Sequence, residues 1–427
     1  MNATACILLT FIGTLFLNVP VAFSLGMSAL LTILLFKMLP ATFMIQSLFS
    51  ASDSFTLLAV PFFILTGDIM MHGGISKRLV AFCTALLGAT TGGLGMITVL
   101  TCMIFASISG SGPATVAAIG GIMIPAMIEE KYEKSFACSL AATSGALGPI
   151  IPPSISFVMY GVIAGVSITD LFMAGIVPGI AMALALMIFV SIACKKHGFG
   201  IKRGKPTRAE QWKAFSEAKW ALLVPIIILG GIYSGVFTPT EAAIIACDYG
   251  LIVGLFVYKE MTLKDLPKIF GRTALTSGTV LVLVGCATAF GKLLTIEQVP
   301  QMISSGLLSL TTNKFIILLL INMILFVTGM LMETLAAIVI LAPLMLSVVV
   351  PLGVDPLHFG IIMVLNLVIG MCTPPVGVNI FVASKLGDIP LEKMFKWLIP
   401  MIGVLLIVLT IFTYVPELSM ALPRFFK

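Results

Sequence analysis

Charge is what this sequence lacks. Asp, Glu, Lys and Arg make up only 10% of its residues, where a soluble domain carries about 25%. With 24 basic and 18 acidic side chains among 427 residues, the chain cannot coat a soluble particle of its size. That excludes a soluble enzyme, a nucleic-acid binder and a disordered scaffold. No charged residue occurs in 79–128, 135–169, 171–194, 220–240 or 397–416. A spanning helix needs about 20 predominantly apolar residues, and these windows match or exceed that.

Other absences narrow the class. The apolar runs do not alternate with polar residues, which rejects a membrane β-barrel and leaves helices as the way to satisfy the backbone in lipid. There is no Walker A motif, so the chain is not expected to hydrolyse ATP or to act as an enzyme. Cys6, Cys83, Cys102, Cys138, Cys194, Cys247, Cys286 and Cys372 stand singly in apolar runs with no CxxC, and read as small packing residues. His72, His197 and His358 are isolated and form no metal motif. Residues 1–36 carry no charge, so the basic segment of a cleavable signal is missing. What remains is 59% hydrophobic residues and a mean hydropathy of +1.17. The fold expected is an all-α, polytopic membrane protein.

Basic residues cluster at mid-chain, where Lys195, Lys196, Lys202, Arg203, Lys205, Arg208, Lys213 and Lys219 are opposed only by Glu210 and Glu217. By the positive-inside rule, 195–219 is expected to be a cytoplasmic loop; a patch for anionic lipid would leave that sidedness unchanged. The loop separates a first membrane repeat, 1–194, from a second, 220–427. Four proline landmarks recur in order across it: Pro20 with Pro239, Pro125 with Pro343, Pro152-Pro153 with Pro374-Pro375, and Pro178 with Pro400. Self-similarity at this spacing points to duplication. Spans are expected near 4–18, 20–37, 55–71, 78–95, 135–163 and 169–194. The second half should supply segments near 218–235, 239–258, 272–294, 299–311, 315–328, 329–350, 356–384 and 394–415. Residues 96–128 are long enough to enter and leave on one side as two half-helices. An odd number of crossings per half would invert the second repeat, a recurring design in secondary transporters.

Four segments interrupt the apolar runs. In Ser107-Ile-Ser109-Gly110-Ser111-Gly112-Pro113-Ala-Thr115, two Gly and a Pro disfavour continuous helix. The alternative is a small-residue helix-packing face. In Thr143-Ser144-Gly145-Ala-Leu-Gly148-Pro149-Ile-Ile-Pro152-Pro153-Ser154, three prolines exceed a kink and suggest an unwound helix whose carbonyls and hydroxyls can ligate a hard cation. The repeat counterparts are Thr328-Gly329-Met-Leu-Met-Glu333-Thr334 and Gly370-Met-Cys-Thr373-Pro374-Pro375-Val-Gly377-Val-Asn379. Glu333 is the one acid in 315–354, and an intramembrane carboxylate is a functional candidate by default, with a protonated or capped structural role as the alternative. Half-helices of this kind aim N-terminal amides at anions and C-terminal carbonyls at Na⁺. Such duplicated discontinuous helices suit a carrier better than a channel, the reading from another class.

The run from Gly95-Met-Ile through Ser109-Gly-Ser-Gly-Pro-Ala-Thr-Val-Ala-Ala-Ile-Gly, the stretch Gly145-Ala-Leu-Gly-Pro-Ile-Ile-Pro-Pro-Ser, and Gly235-Val-Phe-Thr-Pro-Thr-Glu-Ala-Ala resemble the large membrane subunit of TRAP (tripartite ATP-independent periplasmic) transporters over essentially the whole chain. The resemblance implies an elevator-type, Na⁺-coupled importer in the bacterial inner membrane, the outer spans forming its scaffold. It would work with a small four-helix membrane subunit, expected as a separate chain, and a soluble periplasmic binding protein. It implies two Na⁺ sites at the hairpin tips and broken helices, assigned here to Ser107, Ser109, Gly110, Ser144, Gly145, Gly148, Thr328, Gly329, Gly370, Thr373, Pro374 and Gly377. The substrate site beside them is assigned to Ser111, Thr115, Ser154, Glu333, Thr334 and Asn379. Family substrates are organic acids, including C4-dicarboxylates and sialic acid; the overall look leans to the sialic-acid branch, though no single residue separates the branches. A one-component Na⁺/dicarboxylate symporter with similar hairpins is the alternative carrier.

Overall fold

The computed structural model describes residues 2–87, 92–200, 206–311 and 313–426. The described residues are helical with no strand, and eight of their helices are long and apolar enough to cross a membrane. In chain order the first repeat contains α1 (Ala3–Phe16), α2 (Val21–Phe36), α3 (Thr42–Ser52), α4 (Phe55–His72), α5 (Ile75–Leu87), α6 (Gly93–Ser109), α7 (Gly112–Glu129), α8 (Lys134–Gly145), α9 (Ile155–Ala164) and α10 (Ile168–His197). The second contains α11 (Arg208–Tyr233), α12 (Pro239–Val257), α13 (Leu266–Ile296), α14 (Val299–Leu310), α15 (Lys314–Leu331), α16 (Thr334–Val349), α17 (Pro356–Gly370), α18 (Val378–Gly387), α19 (Leu391–Tyr414) and α20 (Pro416–Phe425).

Helix starts follow local chemistry. Thr207 with Glu210 and Thr238 with Glu241 form capping boxes, and Pro239 and Pro356 occupy first-turn positions where no amide is missed. Ser154, Ser167, Asn313 and Asp355 cap other helices through their side-chain oxygens.

The elements correspond across the duplication. α6 and α7 form a hairpin whose tip is Gly110-Ser111, and α15 and α16 form its counterpart with tip Met332-Glu333. The α8–α9 break around Pro152-Pro153 matches the α17–α18 break around Pro374-Pro375, and both Pro–Pro bonds are cis. Pro125 lies inside α7 and Pro343 inside α16, as Pro178 lies inside α10 and Pro400 inside α19.

Contacts fix which ends lie together. At one end Arg78 binds Glu260, Gln211 reaches Ala85, Lys134 reaches Asp388, Lys396 pairs with Glu133, and Trp397 packs on His197 and Phe199. At the other, Thr4 binds Glu297, Thr240 reaches Phe55, Tyr160 reaches Pro356, and Tyr414 reaches Phe315. The first end carries most of the Lys and Arg. The second carries only Lys37, Lys292, Lys314 and Arg424 among the described residues, a bias that by the positive-inside rule favours the cytoplasm for the first end. Each repeat then crosses five times: α1, α2, α4, the α8–α9 pair and α10, and likewise α11, α12, α13, the α17–α18 pair and α19. An odd count inverts the second repeat, and the two hairpins enter from opposite sides.

Several segment boundaries differ from the sequence reading. The span expected at 78–95 is two elements, α5 and the start of α6. The hairpin arms expected at 315–328 and 329–350 meet instead at Met332-Glu333. The basic stretch 195–219 is not one loop, because Lys195 and Lys196 end α10 while Arg208, Lys213 and Lys219 belong to α11. Thr207 and Glu210 cap that helix a full three turns before its apolar part begins. Lys202, Arg203 and Lys205 lie outside the described residues. Two short helices, α3 and the amphipathic α20, were not expected.

Candidate functional site: where the hairpin tips meet the helix breaks

Each hairpin tip sits at the depth of a helix break. The α6–α7 turn is made by Gly110, whose φ of 60° is open to glycine without strain, and Ser111 takes the position before α7. A side chain at Gly148 would strike the Ser111 carbonyl, so the broken α8–α9 segment lies directly on the tip. In the second repeat a side chain at Gly370 would fall 2.5 Å from the Gly329 carbonyl carbon. The Met330 carbonyl accepts from Val376 and Gly377 at 3.3 and 3.4 Å.

The two breaks also touch each other. Ala142, at the end of α8, offers its carbonyl to Asn379 Nδ2 at 3.3 Å and to Cys372 Sγ at 3.2 Å. Ser144 and Asn379 are fully buried, yet Ser144 Oγ and Asn379 Oδ1 have no hydrogen-bond partner. A Cβ on Gly112 would lie 3.0 Å from Asn379 Oδ1 and 3.2 Å from the Gly145 carbonyl oxygen. Buried oxygens left without donors are costly unless something binds them, and a cluster of neutral oxygens suits a hard cation.

Ser144, Gly145 and Gly148 therefore gather at one locus, with Asn379 and Gly112 beside them. Gly329 and Gly370 form a second locus together with the Leu367 carbonyl and the break at Thr373, Pro374 and Gly377. The hydroxyls of Ser107 and Thr328 donate to the Ile104 and Ile324 carbonyls within their own helices, at 2.6 and 2.8 Å.

A cavity of about 580 Å³ opens beside the tips. From the hairpins it is lined by Ser109, Ser111, Pro113 and Glu333, from α9 and α18 by Ile155 and Val382, and from α4 and α13 by Gly67, Asp68, Met71, Arg272, Thr276 and Thr279. Ser111 and Glu333, both proposed from sequence for substrate, are thus brought together. The other four turn inward. Thr115 bonds the Ser111 carbonyl at 2.8 Å and Ser109 Oγ at 3.0 Å; Ser154 bonds the Pro149 carbonyl and caps Phe157; Thr334 contacts Met371 Sδ; and Asn379 joins the break-to-break contact.

Sequence reasoning overlooked the opposite wall. Asp68 lies inside an expected span and Arg272 at the edge of another, and charge at such positions is the signal that could have found them. Asp68 Oδ2 accepts from Thr273 Oγ1 at 3.1 Å. Both residues sit toward the Lys- and Arg-rich ends of their helices, so the cavity runs from the hairpin tips toward that end. All eight cysteines are buried and free, and no group of metal-ligating His, Cys, Asp or Glu occurs among the described residues.

Comparison with known proteins supplies the family. Residues 8–418 match the family described as the DctM component of the tripartite ATP-independent periplasmic transporter. The chain is 50% identical over 96% of its length to the isethionate TRAP transporter permease DctMQ of Oleidesulfovibrio alaskensis, spanning 64% of that protein. It is 40% identical to the sialic acid large permease SiaM of Vibrio cholerae, over 97% of both chains. Identity to the C4-dicarboxylate large permease DctM of Pseudomonas aeruginosa is 42%, over 94% of both. Among solved structures, the YdaH transporter of Alcanivorax borkumensis shares the fold with a TM-score of 0.61 at 14% identity, over 87% of this chain and 86% of that one. With its inverted repeats, paired hairpins and these relatives, the chain belongs to the DctM family of TRAP transporter large permeases, multi-pass proteins of the inner membrane and a family of permeases, not enzymes.

Proposed function

We propose that this chain is the large membrane subunit of a TRAP transporter that imports an organic acid by Na⁺-coupled secondary transport. The observation that carries this is the meeting of the first hairpin tip with both helix breaks at Asn379, where Asn379 Oδ1, like Ser144 Oγ in the first break, is buried without a partner. One Na⁺ would be held around Ser144, Gly145, Gly148 and Asn379. A second would be held at the symmetry-related locus of Gly329, Gly370, Thr373 and Gly377. The cargo would lie against Ser109, Ser111 and Glu333, with the amide ends of α7 and α16 aimed at its anionic group.

The hairpins, the broken helices, α10 and α19 would move as a unit against a scaffold of α1, α2, α4, α11, α12 and α13, with α5 and α14 as connecting arms. Support for this elevator reading comes from the cavity's position on the seam between those two groups. The partners are a small membrane subunit that enlarges the scaffold and a periplasmic binding protein that delivers cargo. A tightly held receptor could not exchange empty for loaded copies, so its docking is transient. The relatives named for isethionate, sialic acid and C4-dicarboxylates support a small organic anion as the cargo.

The test is reconstitution of the chain with and without candidate small subunits, followed by addition of a loaded binding protein. Uptake should depend on both partners, rise with external Na⁺ and respond to membrane potential. Full activity in Na⁺-free buffer driven by protons, or saturable Na⁺-driven uptake by the chain alone, would overturn the proposal.

A further inference from the structure

Among the residues lining the cavity, Arg272 is the only base, while Asp68 and Glu333 are both acids. An organic anion placed there meets two carboxylates and one guanidinium. Thr273 Oγ1 occupies Asp68 Oδ2 at 3.1 Å, and Arg272 itself is exposed and makes no ion pair with another described residue. Its five donors are therefore available, in a planar fork that matches a carboxylate or a sulfonate. Thr276 and Thr279 follow it at helical spacing on α13 and line the same cavity, so the arginine heads a polar stripe on one helix face.

The element that carries Arg272 decides its role. α13 packs mainly against α2, α3 and α4 and touches the hairpin arm α16, and from it Arg272 faces the cavity that Ser111 and Glu333 line from the hairpins. We propose that Arg272 is the cation that pairs with the cargo's anionic group only in the cytoplasm-facing state, acting from the scaffold and not from the moving unit. This rests on the reading of the cargo as an organic anion carried by the hairpins. Arg272 attracts the anion from the hairpin tip toward the cytoplasmic mouth, so cargo passes from hairpin to exit. When the hairpins move toward the periplasm, Arg272 stays behind, and its contribution vanishes from the outward-facing affinity. One cation thus acts on one side of the cycle, where an arginine on a hairpin would act on both.

The rival role for Arg272 is a snorkelling side chain that reaches lipid phosphates at the cytoplasmic rim. The two differ in what they do to sided transport. Full transporter complexes of wild type, Arg272→Gln and Arg272→Lys would be reconstituted in liposomes, with radiolabelled isethionate and succinate as parallel probes. Efflux from the cytoplasmic face and receptor-driven uptake would be measured separately, and thermal melting would confirm that each variant is folded.

R272Q should raise the half-saturating concentration for cytoplasmic-side efflux at least tenfold, while receptor-driven uptake keeps its half-saturation within twofold. R272K should fall between, because it restores charge without the fork. Unchanged half-saturation on both sides, or an equal rise on both, would overturn the assignment. A wild-type complex that moves neither probe nor any other organic acid from a panel would instead remove the cargo reading on which the assignment stands.

Discussion

The side-chain amide of Asn379, in the second repeat, donates to the Ala142 carbonyl, in the first, at 3.3 Å. With the Cys372 thiol on the same carbonyl, that bond ties the two helix breaks together and leaves Asn379 Oδ1 unpartnered, as Ser144 Oγ is in the first break. If this pair faces Na⁺, Ser144→Ala should raise the half-saturating Na⁺ concentration for uptake about fivefold or more, with cargo half-saturation at high Na⁺ changed less than twofold. Asn379→Ala should do the same and also destabilise the fold by about 1–3 kcal/mol, since it leaves the Ala142 carbonyl without this donor. Na⁺ titrations of uptake and thermal melts read the two effects apart. Wild-type Na⁺ dependence in both variants would show that these oxygens bind no ion.

Gly148 and Gly370 hold equivalent places, each where a helix break leans on a hairpin tip. An added methyl meets backbone in both cases: the Ser111 carbonyl for Gly148, and Gly329 for Gly370. Backbone cannot swing aside as a side-chain end can, so Gly148→Ala and Gly370→Ala should each cost about 1–3 kcal/mol, the range for overpacking a filled core. Transport should fall at least tenfold at matched membrane abundance. Gly278→Ala, on α13 with nothing within 4 Å of its added carbon, is the control and should transport normally.

Much of this architecture was legible because membrane solvent imposes strict rules. Uninterrupted apolar windows gave the spans, and Pro152-Pro153 and Pro374-Pro375 marked both breaks, since prolines inside apolar runs leave amide positions that helix cannot use. Ser111 and Glu333 were legible for the same reason: polar groups at that depth demand a purpose. Legibility failed where the relevant relationship is between distant segments. Thr115, Ser154 and Thr334 have hydroxyls as polar as that of Ser111, but local geometry commits them to Ser111, Pro149 and Met371. Nothing in the sequence near Asn379 announces that it reaches Ala142. Arg272 and Asp68 were passed over because they lie near span ends, where charges are ordinary; only the packing of α4 and α13 against the hairpins turns them toward a cavity.

At the Lys- and Arg-rich end, Glu133 accepts from Ser135 at 2.6 Å, from the Trp397 indole at 2.9 Å and from Lys396 at 3.1 Å. Burial opposes its ionisation, but these bonds and the Lys396 charge outweigh burial, and its pKa falls below the ordinary 4.5. A depressed carboxylate contributes stability that is complete above the unfolded-state value and is lost as pH falls through the folded-state value. The Glu133 contribution should therefore be constant at neutral pH and fade below about pH 4.5. Because Lys396 is 63% exposed, Glu133→Gln should cost only about 1 kcal/mol at pH 7. The gap between variant and wild type should close under acid. Melting curves at pH 7 and pH 4 check this, and a gap that widens under acid would contradict it.

The final prediction concerns the arm that links scaffold to hairpin. Gly73 and Gly74 join α4 to α5, and Gly74 has a φ of 74°, so the chain turns sharply just before the arm. Arg78, one turn into α5, donates to the Gly74 carbonyl at 2.9 Å and to Glu260 at 2.7 Å, and its guanidinium lies 3.8 Å from the Tyr258 ring centre. Lys77 adds a longer pairing to Glu260 at 3.6 Å. The arm's root is thereby bolted to the loop that follows α12, and on the proposed elevator reading the pivot lies beyond Arg78. Both partners are partly exposed, which limits the pair to about 0.5–1 kcal/mol of coupling in a double-mutant cycle of Arg78→Ala with Glu260→Ala. Arg78→Ala should lose more than Glu260→Ala, because it also gives up the stacking on Tyr258. The exchanged double variant, Arg78→Glu with Glu260→Arg, should recover part of the coupling but not that stacking. Melting of the detergent-solubilised complex in low and high salt measures these energies, and transport by the same variants measures their use. If the arm root is a fixed pivot, Arg78→Ala should slow uptake at saturating cargo and Na⁺ while leaving both half-saturation values unchanged. A shift in either half-saturation value with an unaltered maximal rate would mean that the contact shapes the binding site instead.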